Sequence, residues 1–383
     1  MKDLSNRILG LDILRSLAIL MVVFAHASTL FNPLIYIPFL GIFVGKFLAI
    51  SGVLSFLAIE LFFVLSGFLI SKILLDILSK EKLSFDILFR KFWIRRWLRT
   101  LPNYYWILFL NILIFCVIIK KYTFDRRYLF FLQNIYTPHP SFFREAWSLA
   151  VEEWYYLISP LVLITFINLL KHNVKSAFLF SSIAILVAIV VLKLIFVQNT
   201  TTDFDEDIRK IVIFRFDSLC IGAITSWLYH YYKAYFFKYK NVLFIISCIL
   251  LLFFINIFYL IFENNYELYR NNMYIKNFIN YGFSPISAVL FAMCFPYFYS
   301  IKNIKIGNIF FAITSKISYS MYLIHLFIYY LFFHQKIVPN TITQSLIFGT
   351  IYFVAVYVLS YINYQLIEKL FLGIRDSKFP NIS

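Results

Sequence analysis

The chain has 383 residues, 62% of them hydrophobic, with 35 lysines and arginines against 19 aspartates and glutamates and a formal net charge of +16. Apolar content at this level excludes a soluble globular enzyme, and nucleic-acid binding is excluded because the basic residues fall in short stretches between apolar runs, where they act as topology signals or an anion site. Cys116, Cys220, Cys248 and Cys294 stand in separate apolar segments without paired spacing, which excludes a disulfide framework and a cysteine metal centre.

The apolar runs have the length that crosses a hydrocarbon core of roughly 30 Å. They predict an all-α polytopic integral membrane protein with about ten transmembrane helices, and a single integral membrane domain over 1–383. The predicted spans are 9–30, 52–78, 101–119, 147–169, 177–197, 211–231, 242–262, 281–299, 315–333 and 343–366. Residues 35–50 are apolar but contain Pro38, Gly41, Gly45 and Lys46, and read as a partly embedded connection or half a helix. Both termini are expected to be cytoplasmic. That orientation places Lys2, Arg7, the basic stretch 80–99, Lys171, Lys175, Lys233, Lys238, Lys240, Lys302, Lys305, Lys369 and Arg375 inside, and the acidic run 203–207 outside. The loop 120–146, with Lys120, Lys121, Arg126, Arg127 and Arg144, dissents.

The first span resembles a signal peptide ending at Ala25-His26-Ala27, but Asp12 and Arg15 interrupt the core that such a peptide needs. Ionisable residues at bilayer depth are costly and mark function by default. Arg15 and His26 are eleven residues apart, close to three helical turns. Asp12, Arg15, Ile19, Val22 and His26 therefore share one face, with Asp12 expected to pair with Arg15 at i,i+3.

Glu60 lies in the second span. Before the third, Arg90-Lys91-Phe92-Trp93-Ile94-Arg95-Arg96-Trp97-Leu98-Arg99 mixes basic and aromatic residues. It reads either as a positive-inside anchor or as a phosphate grip built from Arg95, Arg96 and Arg99. Trp147, Ser148, Glu152 and Glu153 open the fourth span near the outer face, and Arg215, at the start of the sixth, is expected to neutralise Glu152; packing and functional readings stand side by side. His325, with Tyr322 one turn before it, reads as an interhelical hydrogen-bonder or a site residue. Glu368 closes the tenth span. His139, His172, His230 and His334 fall in loops or at span ends and receive no role. No nucleophile elbow, P-loop, HExxH or CxxC is present. A histidine base, arginines inside and carboxylates outside suit acyl transfer from an anionic carrier.

In this order, the segments Leu11 to His26, Glu60 to Ile70, Arg95 to Pro102, Trp147 to Tyr155, Phe214 to Gly222, Tyr319 to His325 and Ile367-Glu368-Lys369 resemble the membrane-bound acyltransferase family 3. The resemblance implies O-acylation of an extracytoplasmic carbohydrate, such as lipopolysaccharide O-antigen or peptidoglycan, in the cytoplasmic membrane of a bacterium. The donor is an acyl-CoA, most often acetyl-CoA, and no bound cofactor or metal is implied.

On that reading His26 is the general base, Arg15 orients the donor or stabilises the thioester oxygen, and Glu368 completes the catalytic set. Arg95, Arg96 and Arg99 hold the coenzyme A phosphates. Trp147, Ser148, Glu152 and Arg215 face the acceptor, supported by Asp12, Glu60, Tyr322 and His325. Two departures concern local packing: Ala58-Ile59-Glu60 stands where the family has Gly-Val-Asp, and Glu368-Lys369-Leu370 lacks the usual proline. No appended extracytoplasmic domain is expected, so this domain or a separate extracytoplasmic partner makes the final transfer. The expected partners are membrane lipid, acyl-CoA and a cell-surface glycan, with no nucleic acid. The competing readings are a multi-pass transporter or flippase, with His26, Glu152, Arg215 and Glu368 as a pathway, and a structural membrane subunit, against which the cost of burying His26 and Arg15 argues.

Overall fold

The structure, a computed structural model, describes residues 7–80, 84–171, 173–197, 203–264, 266–304, 306–333 and 338–380; Lys2, His172, Lys305 and His334 lie outside them. All regular structure among the described residues is helical. Ten principal helices follow in chain order: α1 (Leu9–His26), α2 (Leu40–Leu78), α3 (Phe85–Ile118), α4 (Ala146–Leu169), α5 (Val174–Phe196), α6 (Asp217–Tyr231), α7 (Lys240–Phe262), α8 (Met273–Tyr299), α9 (Asn308–Leu331) and α10 (Ile342–Lys378). Nine of them are long and apolar enough to cross a membrane. The chain is a multi-pass membrane protein.

Each predicted span corresponds to one helix, and the larger differences lie in the ends of α2, α3 and α10 and in the length of α6. α2 takes in most of the segment read as a connection, because Pro38 precedes the helix and the chain turns at Phe39, whose φ is 63°. α3 begins at Phe85, where the Ser84 hydroxyl accepts from the Ile87 amide at 3.3 Å. The basic stretch 90–99 is therefore helical, as suits lysine and arginine. α10 likewise runs past its predicted end through Lys369–Lys378. α6 is short: its 15 residues rise about 22 Å, less than a full bilayer core.

α6 packs closely on α2. A Cβ at Gly67 would lie 2.1 Å from the Leu219 carbonyl oxygen, and one at Gly222 would lie 2.3 Å from that of Val64. Glycine at both positions lets the two backbones touch. Around this seam runs a fully buried ion cluster. Arg215 is 0% exposed and pairs with Glu60 of α2 at 2.6 Å; it also donates to the Ser284 hydroxyl of α8. Ser218 donates to the other Glu60 oxygen at 2.6 Å, and Asp217 pairs with Lys193 of α5 at 2.7 Å.

The loop 120–146 folds into a cap over one end of the bundle. The Tyr128 hydroxyl donates to the Phe142 carbonyl, and Tyr104 of α3 donates to the Tyr128 carbonyl at 2.9 Å. The carbonyls of Asn134 and Ile135 accept from the amides of Val212 and Ile213, at 2.9 and 3.3 Å. At the opposite end, Arg95 near the start of α3 meets Asp376 near the end of α10 at 3.4 Å. The beginning of α1 lies there too, since Arg15 and Arg99 line one cavity.

Candidate active site

α1 carries the two residues of the sequence argument to two different places. Over eleven residues the helix rises about 16 Å, so a shared face does not mean a shared site. Arg15 lines a cavity of about 120 Å³ toward the end of the bundle that holds the start of α1. His26, the last residue of α1, is exposed to a second cavity, of about 480 Å³, beneath the 120–146 cap.

The first, inner cavity brings together Arg15, Arg96, Arg99, Glu152, Ser66, Thr100, Ser148 and Tyr319 with apolar residues of α2. Glu152 is fully engaged. It accepts from Ser66 at 2.8 Å, from Tyr156 at 2.8 Å and from Arg96 at 3.2 Å. Arg96 in turn stacks over the Tyr156 ring, 4.3 Å from its centroid. Glu153, turned away from its neighbour by the helix, accepts from Thr100 at 2.9 Å.

The pairings expected from sequence are corrected in several respects. Asp12 does not pair with Arg15: it takes two bonds from Arg7, at 2.6 and 3.0 Å, and one from Ser315 at 2.6 Å. Arg215 does not neutralise Glu152, because it is spent on Glu60 within the bundle, away from both cavities. Glu152 and Ser148, read from sequence as lying near the outer face, line the same cavity as Arg15, Arg96 and Arg99. Arg95 lies apart from Arg96 and Arg99, in a surface cleft with Lys80 and Lys91 that shares only Ile73 with the inner cavity. Glu368 lines neither cavity and accepts from Ser320 at 3.0 Å and Asn103 at 3.5 Å, in a buried network that Asn363 completes.

The outer cavity gathers His26, His325, Tyr322, Trp147, His139, Arg144, Glu145, Asp205, Glu206, Arg209 and Lys210. The rings of His26 and His325 stand 5.0 Å apart, centroid to centroid. The His26 Nδ1 bonds the Val22 carbonyl at 2.9 Å, and the His325 Nδ1 bonds the Tyr322 carbonyl at 2.7 Å. A carbonyl only accepts, so each Nδ1 carries the proton and each neutral ring keeps a basic lone pair on Nε2. Trp147 does not offer a free face: the Arg209 guanidinium lies 4.7 Å from its centroid and 4.0 Å from that of Phe56.

Sequence reasoning gave no part to His139, Glu145 and Arg209. Glu145 stands immediately before α4, yet its carboxylate makes no capping bond. Burial pushes this carboxyl up to about 8, and burial pushes the His139 imidazole down to about 3. Both are uncharged near neutral pH. His139 Nε2, Glu145 Oε1 and His325 Nε2 are buried polar atoms without a hydrogen-bond partner, a condition that typically costs about 1–3 kcal/mol each.

The cavities meet at Tyr322 and Ile59, the two residues that line both. The Tyr322 hydroxyl is 2.6 Å from Ser148 Oγ and 3.1 Å from the Glu145 carbonyl.

A family model described as an acyltransferase domain, acyltransferase 3, matches residues 8–364. YrhL of Bacillus subtilis, provisionally named a peptidoglycan O-acetyltransferase, is 29% identical over 202 residues, 47% of this chain and 27% of its own length. The peptidoglycan O-acetyltransferase OatA of Listeria monocytogenes is 31% identical over 135 residues, 31% of this chain and 21% of its own. A provisionally named O-acetyltransferase of Staphylococcus aureus, SACOL0978, is 26% identical over 243 residues, 58% of this chain and 35% of its own. The matches thus span about a fifth to a third of these relatives. No solved structure matches.

Proposed function

The chain belongs to this acyltransferase 3 family, and on that premise we propose that it moves an acetyl group from cytoplasmic acetyl-CoA to a hydroxyl of an extracytoplasmic glycan, at the cytoplasmic membrane of a bacterium. The observation that carries the reading is the pair of cavities, one lined by arginines and one by histidines, that abut at Tyr322. A transfer enzyme needs two separate approaches to one point. The arginine cavity, at the end of the bundle with the start of α1, is the donor side. Its guanidiniums suit the anionic carrier, and its apolar α2 wall suits the carrier's thin arm.

In the outer cavity the acceptor hydroxyl gives its proton to His26 Nε2 as its oxygen attacks the thioester carbonyl carbon. The carbon–sulfur bond breaks, and the proton held by His26 returns to the leaving thiolate. Arg15, about 16 Å inward along α1, binds and orients the donor. Arg95, Lys80 and Lys91 bind its phosphates at the mouth. The relatives named for peptidoglycan point to an envelope glycan as acceptor.

The test is mass analysis of surface glycan from cells with and without the gene, paired with transfer of labelled acetyl from acetyl-CoA in inside-out membrane vesicles. Loss of O-acetyl with the gene, and transfer in the vesicles, is the expected result. Unchanged glycan acetylation, with movement of an unmodified substrate across the membrane, supports the transporter reading instead.

A further inference from the structure

The outer cavity carries more polar capacity than acid–base catalysis by His26 uses. Three residues that line it, His139, Glu145 and His325, each keep a buried polar atom that no protein group satisfies. They come from two parts of the fold, His139 and Glu145 from the 120–146 cap and His325 from α9. Their convergence on one cavity of about 480 Å³, a size ordinary for small-molecule sites, needs an explanation.

Resting on the acyl-transfer reading above, we propose that this cavity is a built binding site for an uncharged, hydroxyl-bearing sugar unit, in which His139 and Glu145 hold the acceptor while His26 activates one of its hydroxyls.

Ion pairing does not explain the site, because its charges are largely consumed. Arg209 pairs with Asp205 at 2.5 Å, and Lys210 with Asp205 at 2.7 Å and Glu206 at 2.5 Å. Burial raises the Asp205 carboxyl, but Arg209 and Lys210 outweigh that and hold it below its ordinary value, so these pairs stay ionised. Arg144 donates to the Tyr330 hydroxyl at 3.1 Å, a neutral partner that occupies one of its donors and leaves its charge in place. Ring stacking does not explain it either, since Arg209 occupies the face of Trp147.

What is left is hydrogen bonding by neutral groups. A protonated carboxyl donates through one oxygen and accepts through the other, and a neutral imidazole does both through its two nitrogens. Sugar hydroxyls have the same dual character, which an ammonium or a carboxylate lacks. The His325 Nε2 is an acceptor because its Nδ1 is bonded to the Tyr322 carbonyl, and its ring stands 5.0 Å from that of His26, centroid to centroid. Specificity for uncharged, hydroxyl-bearing units follows. Glu145 and His139 are binding residues of the acceptor and have no part in holding the donor.

The experiment uses the full chain in cells that lack their own copy and in inside-out vesicles prepared from them. Glu145→Ala and His139→Ala are expected to lower O-acetyl on surface glycan at least tenfold, with acetyl-CoA binding within twofold of the unaltered chain. Glu145→Gln, which keeps a neutral donor and acceptor, is expected to retain most of the transfer. Wild-type transfer by Glu145→Ala and His139→Ala overturns the proposal, as does a folded Glu145→Gln no better than Glu145→Ala. Should the alanine variants not fold, competition on the unaltered chain decides. In detergent-solubilised membranes, where added sugars reach both faces, uncharged chitotetraose is expected to suppress labelling of the glycan at a tenfold lower concentration than tetragalacturonate; equal potency or the reverse order overturns the proposal. If the unaltered chain acetylates no glycan, the acyl-transfer reading itself has failed. If it does so while the variants match it, only this inference has.

Discussion

The hydroxyl of Tyr322 lies 2.6 Å from Ser148 Oγ, and this contact between α9 and α4 forms the wall between the arginine cavity and the histidine cavity. Tyr322 faces both, Ser148 only the first. Tyr322→Phe keeps the ring and removes the hydroxyl. Glycan acetylation is expected to fall about tenfold or more, with acetyl-CoA binding unchanged. Full activity in this variant places the transfer point somewhere other than this wall.

His26→Ala is expected to abolish transfer while the protein still inserts and purifies as a monodisperse species, because loss of a general base typically costs about 10² to 10⁴ in rate. His26 is exposed to the cavity at a helix end, so little packing is lost with it. The check is vesicle transfer normalised to folded protein, and near-normal rates would remove His26 from the mechanism.

The arginines divide by location. Arg96→Gln and Arg99→Gln, in the inner cavity, are each expected to weaken acetyl-CoA binding about tenfold, on the scale of one charge-assisted hydrogen bond. Arg95→Gln, in the surface cleft and already paired with Asp376, is expected to act less and to lose its effect at high salt. Calorimetric titration with acetyl-CoA distinguishes them, and equal losses at all three would contradict the division.

Arg215→Ala leaves Glu60 buried without its cation, a change that typically destabilises by about 3–5 kcal/mol. The double variant Glu60→Gln, Arg215→Ala is expected to be less damaged than the sum of its parts, which is the sign of a direct pair. Thermal unfolding in detergent measures both; additive losses would mean that the two residues act separately.

Glu145 sets a pH dependence of stability. Its folded-state value of about 8 lies above the ordinary 4.5, so between these the folded chain holds a proton that the unfolded chain releases. The contribution is complete below 4.5 and is lost as pH rises through about 8. His139 acts in the opposite sense, but only below its ordinary 6.5. From about pH 7 to 9 the apparent melting temperature is therefore expected to fall in the unaltered chain and to fall less in Glu145→Gln. Parallel curves would show that this carboxyl does not titrate in the window.

Legibility in the sequence followed the range of the interactions. Hydropathy located every helix, since each span must solve the bilayer problem alone. Ends were misplaced where helix continued into charge, as at 90–99, because crossing a membrane and being helical are different properties. Residue types at the site were legible for the same local reason: Arg15, His26, Arg96, Arg99 and His325 all line a cavity. Partners were not legible. Glu152 found Arg96 and Arg215 found Glu60 across helices, and nothing in a one-dimensional pattern ranks such candidates. His139 and Glu145 escaped notice because their distinguishing property is a missing partner, which exists only in three dimensions.

The short helix α6 has a bearing on how the chain is made. With 15 residues, Arg215 just ahead of it and Asp217 in its first turn, it is the segment least able to leave the translocon unaided. Yet Glu60 is synthesised 155 residues before Arg215, and Lys193 is synthesised 24 residues before Asp217. Both countercharges thus leave the ribosome ahead of α6. Insertion of this segment is an assembly step onto α2 and α5, and the order of the gene is the order in which its charges become tolerable.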